Sequence, residues 1–163
     1  WTPFEGRGTR ERLMLSAADD LEIELIDDAF NANPASVAAS LEMLAAAEPQ
    51  GQGRRIAVLG DMLELGPTGP ALHAVIAEHP ALAKIAAIHT VGPLMEHLHK
   101  ALPGRVRGRH AETAEEMAAA LPQKLRRGDV LLIKGSKGIK VSRVVDALRK
   151  LGQATVDQGK GPR

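Results

Sequence analysis

The feature that most constrains the fold is an alternation of short aliphatic runs with longer stretches of helical periodicity. Arg55–Leu59, Ala86–Val91, Arg105–Arg109 and Val130–Lys134 are short, and most are rich in Val, Ile or Leu, as strands covered on both faces are. Between them, Val37, Leu41 and Leu44 share one helical face, as do Leu94, Leu98 and Leu102. Val141, Val144, Val145 and Leu148 follow the i, i+3, i+4, i+7 template. Helix starts are marked by Asn33-Pro34, a cap followed by a proline, and by Thr113 with Glu116 three residues on. Strands alternating with helices predict an α/β domain: a Rossmann-like, mostly parallel sheet with helices on both faces. Residues 13–15 and 21–26 flank Ala17-Ala18-Asp19-Asp20 and predict a short β-hairpin ahead of that sheet. Residues 1–12 read as a linker entering from a preceding domain, 13–151 as the folded domain, and 152–163 as a disordered tail. The chain opens at Trp1, as an excised piece of a longer protein would.

Composition narrows the function classes. Three aromatics (Trp1, Phe4, Phe30) cannot build a stacking platform for single-stranded nucleic acid, and a net charge of +1 gives no electrostatic case for DNA or an acidic membrane. The absence of cysteine removes disulfides and thiolate metal sites. No apolar run approaches the roughly 18 residues of a membrane span. His97 and His99 are two apart on a predicted helix, so they do not share a face, and no metal site is expected. No serine or cysteine nucleophile sits beside a base, and neither a G-x-x-x-x-G-K-[ST] loop nor a G-x-G-x-x-G fingerprint occurs.

In parallel sheets ligands bind beyond the carboxyl ends of the strands, and three polar segments fall there. DDAFNANPASV (27–37) crowds two carboxylates and two asparagines into a strand-to-helix turn. Asparagine offers both donor and acceptor to a ribose hydroxyl or an adenine edge, although Asn33 would also cap the helix whatever the function. GDMLELG (60–66) follows a strand with two acids that could receive an ammonium group. KGSKG (134–138) sets a lysine and a Gly-Ser turn before a helix, an arrangement suited to a carboxylate or a phosphate. Each also has a plain reading, as turn chemistry, an ordinary loop or a solvated basic turn. His73 reads as a structural histidine.

Taken in order, GRG (6–8), DDAFNANPAS (27–36), RRIAVLGDMLELG (54–66), VG (91–92) and GDVLLIKGSKG (128–138) resemble the last domain of the Mur ligases. Within that family they resemble the branch that adds D-alanyl-D-alanine. The resemblance implies the third domain of a cytoplasmic enzyme that uses Mg-ATP to activate a UDP-N-acetylmuramoyl-tripeptide carboxylate, which the dipeptide amine then attacks. ATP and Mg2+ would be held mainly by a central domain, leaving this chain inactive alone. By the same resemblance Arg7, Asp28, Asn31 and Asn33 belong to a nucleotide side, with Asp27 an alternative to Asp28. Asp61, Glu64, Lys134 and Ser136 belong to an acceptor side. The chain departs from the family in PTGPAL (67–72), where a proline stands before the His73 helix and leaves the orientation of His73 open. The rival from another class is a response-regulator receiver, whose acidic pair, phospho-acceptor, threonine and lysine Asp27-Asp28, Asp61, Thr90 and Lys134 would mimic. A generic nucleotide-binding module is the third reading.

Overall fold

The computed structural model describes residues 8–160. A six-stranded sheet has the order β1-β2-β6-β3-β4-β5. Its strands are β1 (Thr9–Ser16), β2 (Leu21–Asp28), β3 (Arg55–Gly60), β4 (Ala87–Val91), β5 (Arg107–Ala111) and β6 (Val130–Lys134). β1 runs antiparallel to β2 as the expected hairpin, and every other pairing is parallel. β6 lies between β2 and β3, so its five residues are covered on both faces and all are buried, which is why a purely aliphatic run marked it.

The helices are α1 (Pro34–Ala46), α2 (Gly69–Ala74), α3 (Met95–Ala101), α4 (Ala114–Ala120) and α5 (Ser142–Lys160). One core joins Val37, Leu41 and Leu44 of α1 with Met95 and Leu98 of α3. The opposite core joins Met117 of α4 with Val144, Val145 and Leu148 of α5. Helices thus cover both faces, as expected.

Asn33 caps α1, with its side chain accepting the Ser36 N–H and the Ser36 hydroxyl returning to the Asn33 N–H. On α3 the inward residue is Met95, fully buried, rather than the partly exposed Leu94. β5 starts two residues later than expected because Val106 and Arg107 both donate their N–H to the Pro103 carbonyl, extending the turn.

Two expected boundaries are corrected. Residues 9–12, read as linker, are already strand, held by cross-strand pairs of Arg10 with Glu24 and Arg12 with Glu22. Residues 152–160, read as tail, continue α5. Tertiary contacts outweigh weak local periodicity there: Gly152 is buried close to Leu13, and Arg149 pairs with Glu11 of β1 and Asp27 of β2.

The topology also excludes the receiver reading. A receiver bonds its first parallel strand to the second and third, giving the order 2-1-3-4-5. Here the first parallel strand, β2, bonds to the last, β6. The chain leaves β2 and β3 toward one face and β6 toward the other, so the crevice opens at the carboxyl end of β6.

Candidate functional site

Three loops meet at that crevice, following β2, β3 and β6. Lys134, the last residue of β6, is 3% exposed. Its Nζ donates to Asp28 Oδ2 at 2.9 Å and to the Asn31 carbonyl at 3.0 Å. The same Asp28 oxygen accepts the Ser40 hydroxyl at 2.5 Å. Two residues further on, Ser136 donates its hydroxyl to the Ala32 carbonyl at 3.3 Å and accepts the Leu63 N–H at 2.9 Å. Its own N–H reaches the Asp61 carbonyl at 3.0 Å. The end of β6 therefore binds both neighbouring loops. Only glycine fits between them: a Cβ on Gly135 would lie 3.1 Å from the Gly60 Cα, and one on Gly60 2.7 Å from Val141 Cγ1.

Residues 60–66 are fixed from several directions. The Asp61 N–H bonds the Val91 carbonyl, the Met62 N–H bonds His73 Nε2 at 2.9 Å, and the Leu63 N–H bonds Ser136. His73 is fully buried with its Nδ1 2.6 Å from the Gly69 carbonyl, so Nε2 accepts, Nδ1 carries the proton, and the ring is a satisfied structural histidine. α2 starts at Gly69, inside the PTGPAL stretch, with Pro70 tolerated in its first turn and His73 facing inward.

Asp61 is 1% exposed, and its oxygens accept the Met95 N–H at 2.7 Å and the Leu94 N–H at 3.2 Å at the start of α3. Burial pushes its carboxyl above the ordinary value, against the pull of the Met95 and Leu94 N–H groups. Glu64, by contrast, is exposed on a left-handed backbone at φ 64°, a conformation that costs a non-glycine residue free energy and clusters at functional sites.

The eight expected site residues thus separate by environment. Asn31, Asn33 and Glu64 are exposed at the rim, although Asn33 is engaged as the α1 cap and Asn31 Oδ1 accepts the Ala32 N–H at 2.8 Å. Asp28, Asp61, Lys134 and Ser136 are joined to other elements by the bonds above. Lys134 and Asp28, expected on opposite sides, form one ion pair. Asp61 is not an open carboxylate in this chain: its oxygens are buried against backbone N–H groups, an environment that also denies a phosphoryl group access. Arg7 lies outside the described residues. Asp27, the alternative to Asp28, faces the other side of the sheet, where it accepts the Ala29 N–H and pairs with Arg149 at 3.1 Å. Burial raises its carboxyl despite both partners.

Sequence reasoning missed Ser40 and Arg149, whose partners lie 12 and 122 residues away with no local signal. It also missed Phe30, 41% exposed beside a rim cavity of about 240 Å3 shared with Lys137 and Asp146. A larger cavity, about 690 Å3, lies between Gln50, Arg126 and Arg127 at the amino ends of the strands, the end away from the crevice. Among the described residues no three His, Asp or Glu are grouped to hold a metal ion, and no helix is long and apolar enough to cross a membrane.

Comparison with known proteins places these loops in a family context. The family described as "Mur ligase, glutamate ligase domain" matches residues 12–137, a span containing all three loops up to Lys137. Relatives named UDP-N-acetylmuramoyl-tripeptide–D-alanyl-D-alanine ligase include that of Treponema pallidum, 36% identical over 127 residues, 76% of this chain and 27% of the relative. That of Mycobacterium tuberculosis is 33% identical over 159 residues, 86% of this chain and 31% of the relative. The chain spans 26% and 28% of the relatives from Rickettsia prowazekii and Bacillus subtilis. Among solved structures, a MurF ligase from Thermotoga maritima in complex with ADP superposes with a TM-score of 0.73 at 22% identity, covering 94% of this chain and 33% of that one. A MurF from Acinetobacter baumannii gives 0.74 at 21% identity, over 91% and 31%. At these identities the superpositions establish the fold.

Proposed function

The chain belongs to the Mur ligase family through its glutamate ligase domain, and from that premise we propose that it is the carboxy-terminal domain of the ligase that joins D-alanyl-D-alanine to UDP-N-acetylmuramoyl-tripeptide with ATP. The observation that carries this reading is that relatives bearing that name match the stretch of chain whose loops converge on the β6 crevice. The receiver alternative is set aside by strand order and by the burial of Asp61.

In the proposed enzyme this domain closes over ATP and helps seat the dipeptide, in the cytoplasm. Phosphoryl transfer needs positioned phosphates and metal, and this sequence has no phosphate-binding loop. The P-loop and Mg2+ ligands are therefore assigned to the rest of the ligase. Bound ATP supplies the phosphoryl group that activates the tripeptide carboxylate. On the nucleotide side this chain offers the Asn31 amide, exposed and able both to donate and accept. Arg7 and Asn33 remain assigned to that side by family resemblance. On the acceptor side Glu64 presents an exposed carboxylate to the dipeptide ammonium, which must be held close to the activated carbon before it loses its proton and attacks. Asp28, Asp61, Lys134 and Ser136 form the frame behind these contacts.

The test is to assay the whole ligase that carries this chain for a pentapeptide product from UDP-tripeptide, D-alanyl-D-alanine and Mg-ATP. Dipeptide-dependent product and phosphate in equal amounts support the reading. Product with a different amino acid acceptor in place of the dipeptide would refute it.

A further inference from the structure

We propose that Lys134 is a positioning residue, which fixes the loop at residues 29–33 so that Asn31 faces the nucleotide, and that it contacts neither substrate. This rests on the function proposed above and identifies what holds one side of the site in place.

Lys134 ends the strand between β2 and β3, and its ammonium is enclosed by the loop. It meets that loop twice, at the Asp28 carboxylate closing β2 and at the Asn31 carbonyl three residues on. Ser136 takes the next carbonyl, that of Ala32. Two successive carbonyls are thus turned inward onto β6, while the side chains of Phe30 and Asn31 are left exposed at the rim. Ser40 holds Asp28 from α1, so the ion pair cannot swing away from the loop.

The chemistry explains the residue type. An ammonium has three N–H groups and can serve a carboxylate and a carbonyl together. A neutral apolar side chain would leave the Asn31 carbonyl without its donor. A guanidinium, planar and wider, does not match an enclosure that leaves lysine 3% exposed. A buried ion pair is weak support for stability, since apolar replacements of equal volume often match it, whereas fixing one conformation of a loop needs directed bonds of this kind.

The test separates positioning from stabilisation. Lys134→Met alone strands the Asp28 carboxylate, so it lowers stability whatever the role. The double variant Lys134→Met/Asp28→Asn removes the stranded charge and keeps an oxygen for Ser40, yet still lacks the donor to Asn31. We expect its melting temperature to recover most of the loss. The amide resonances of residues 29–33 stay displaced and exchange faster than in the unaltered chain. In the whole ligase the KM for ATP stays raised about tenfold, with the KM for the dipeptide within about threefold.

A double variant with recovered stability, unaltered 29–33 resonances and an unaltered KM for ATP would reduce Lys134 to a structural charge and overturn the proposal. A raised dipeptide KM with ATP unaffected would overturn it too, by making Lys134 an acceptor ligand. An unaltered parent enzyme that forms no dipeptide product defeats the functional reading instead, and leaves the resonance measurements to decide the role of Lys134.

Discussion

Asp61 accepts the backbone N–H of Met95 at 2.7 Å and thereby ties the loop after β3 to the first turn of α3. Gly92 permits the approach: it sits at φ 106°, and a Cβ there would lie 2.6 Å from the Asp61 carboxylate.

Removing this tie loosens the rim. Asp61→Ala leaves two buried N–H groups unsatisfied and should cost about 2–4 kcal/mol. Gly92→Ala adds backbone strain to a direct clash and should cost at least as much. Urea unfolding of the chain measures both. A loss below about 0.5 kcal/mol for either would show that the Asp61 carboxylate adds nothing to the anchoring of this loop by Val91, His73 and Ser136.

His73 is held as the Nδ1-protonated neutral tautomer by the Met62 N–H and the Gly69 carbonyl. Nitrogen-detected spectra should show that one tautomer at pH 7, with Nε2 as the unprotonated nitrogen. His73→Leu should cost about 2–4 kcal/mol through two orphaned backbone groups, and should shift the amide resonances of Met62 and Leu63 most among the rim residues. Equal tautomer populations would contradict the assignment.

His89 makes stability depend on acid. Its Nδ1 accepts the Arg109 N–H at 2.9 Å, and Gly108 leaves the ring room beside β5. Burial, helped by Lys124 and Arg54, lowers its pKa to about 4. The folded state thus resists a proton that the unfolded chain accepts near pH 6.5. Stability from this residue is complete above that value and falls as pH drops toward 4, by up to about 3 kcal/mol. His89→Gln keeps an acceptor and cannot titrate. The difference in unfolding free energy between the two proteins should therefore change by that amount between pH 6.5 and 4. Parallel pH profiles would remove His89 as the cause.

Much of this was legible in the sequence, for identifiable reasons. β6 is read correctly to the residue because burial on both faces demands an uninterrupted aliphatic run. β5 is misplaced by two because an edge strand reading RGRHA carries little apolar signal. The continuation of α5 past Leu151 was hidden, since Gly152 looks like a helix end until Leu13 is seen beside it. At the site, strand ends told where the polar loops converge. They did not tell which groups consume one another: Lys134 and Asp28 are 106 positions apart, and Asp61 is buried by a helix starting 34 positions later.

Asn31 tests the nucleotide side. In the whole ligase Asn31→Ala should raise the KM for ATP five- to a hundredfold, the equivalent of about 1–3 kcal/mol, with the dipeptide KM little changed and circular dichroism unaltered. The reverse pattern would exchange the two sides of the rim.

We propose that this chain completes a ligase specific for D-alanyl-D-alanine, and mass spectrometry of the parent enzyme's product tests this most directly. Incubated with UDP-tripeptide, Mg-ATP and an equimolar mixture of D-alanyl-D-alanine, D-glutamate and diaminopimelate, the enzyme should form the dipeptide adduct alone, while the isolated chain releases no phosphate above background. A product carrying D-glutamate or diaminopimelate, without the dipeptide adduct, would contradict the account.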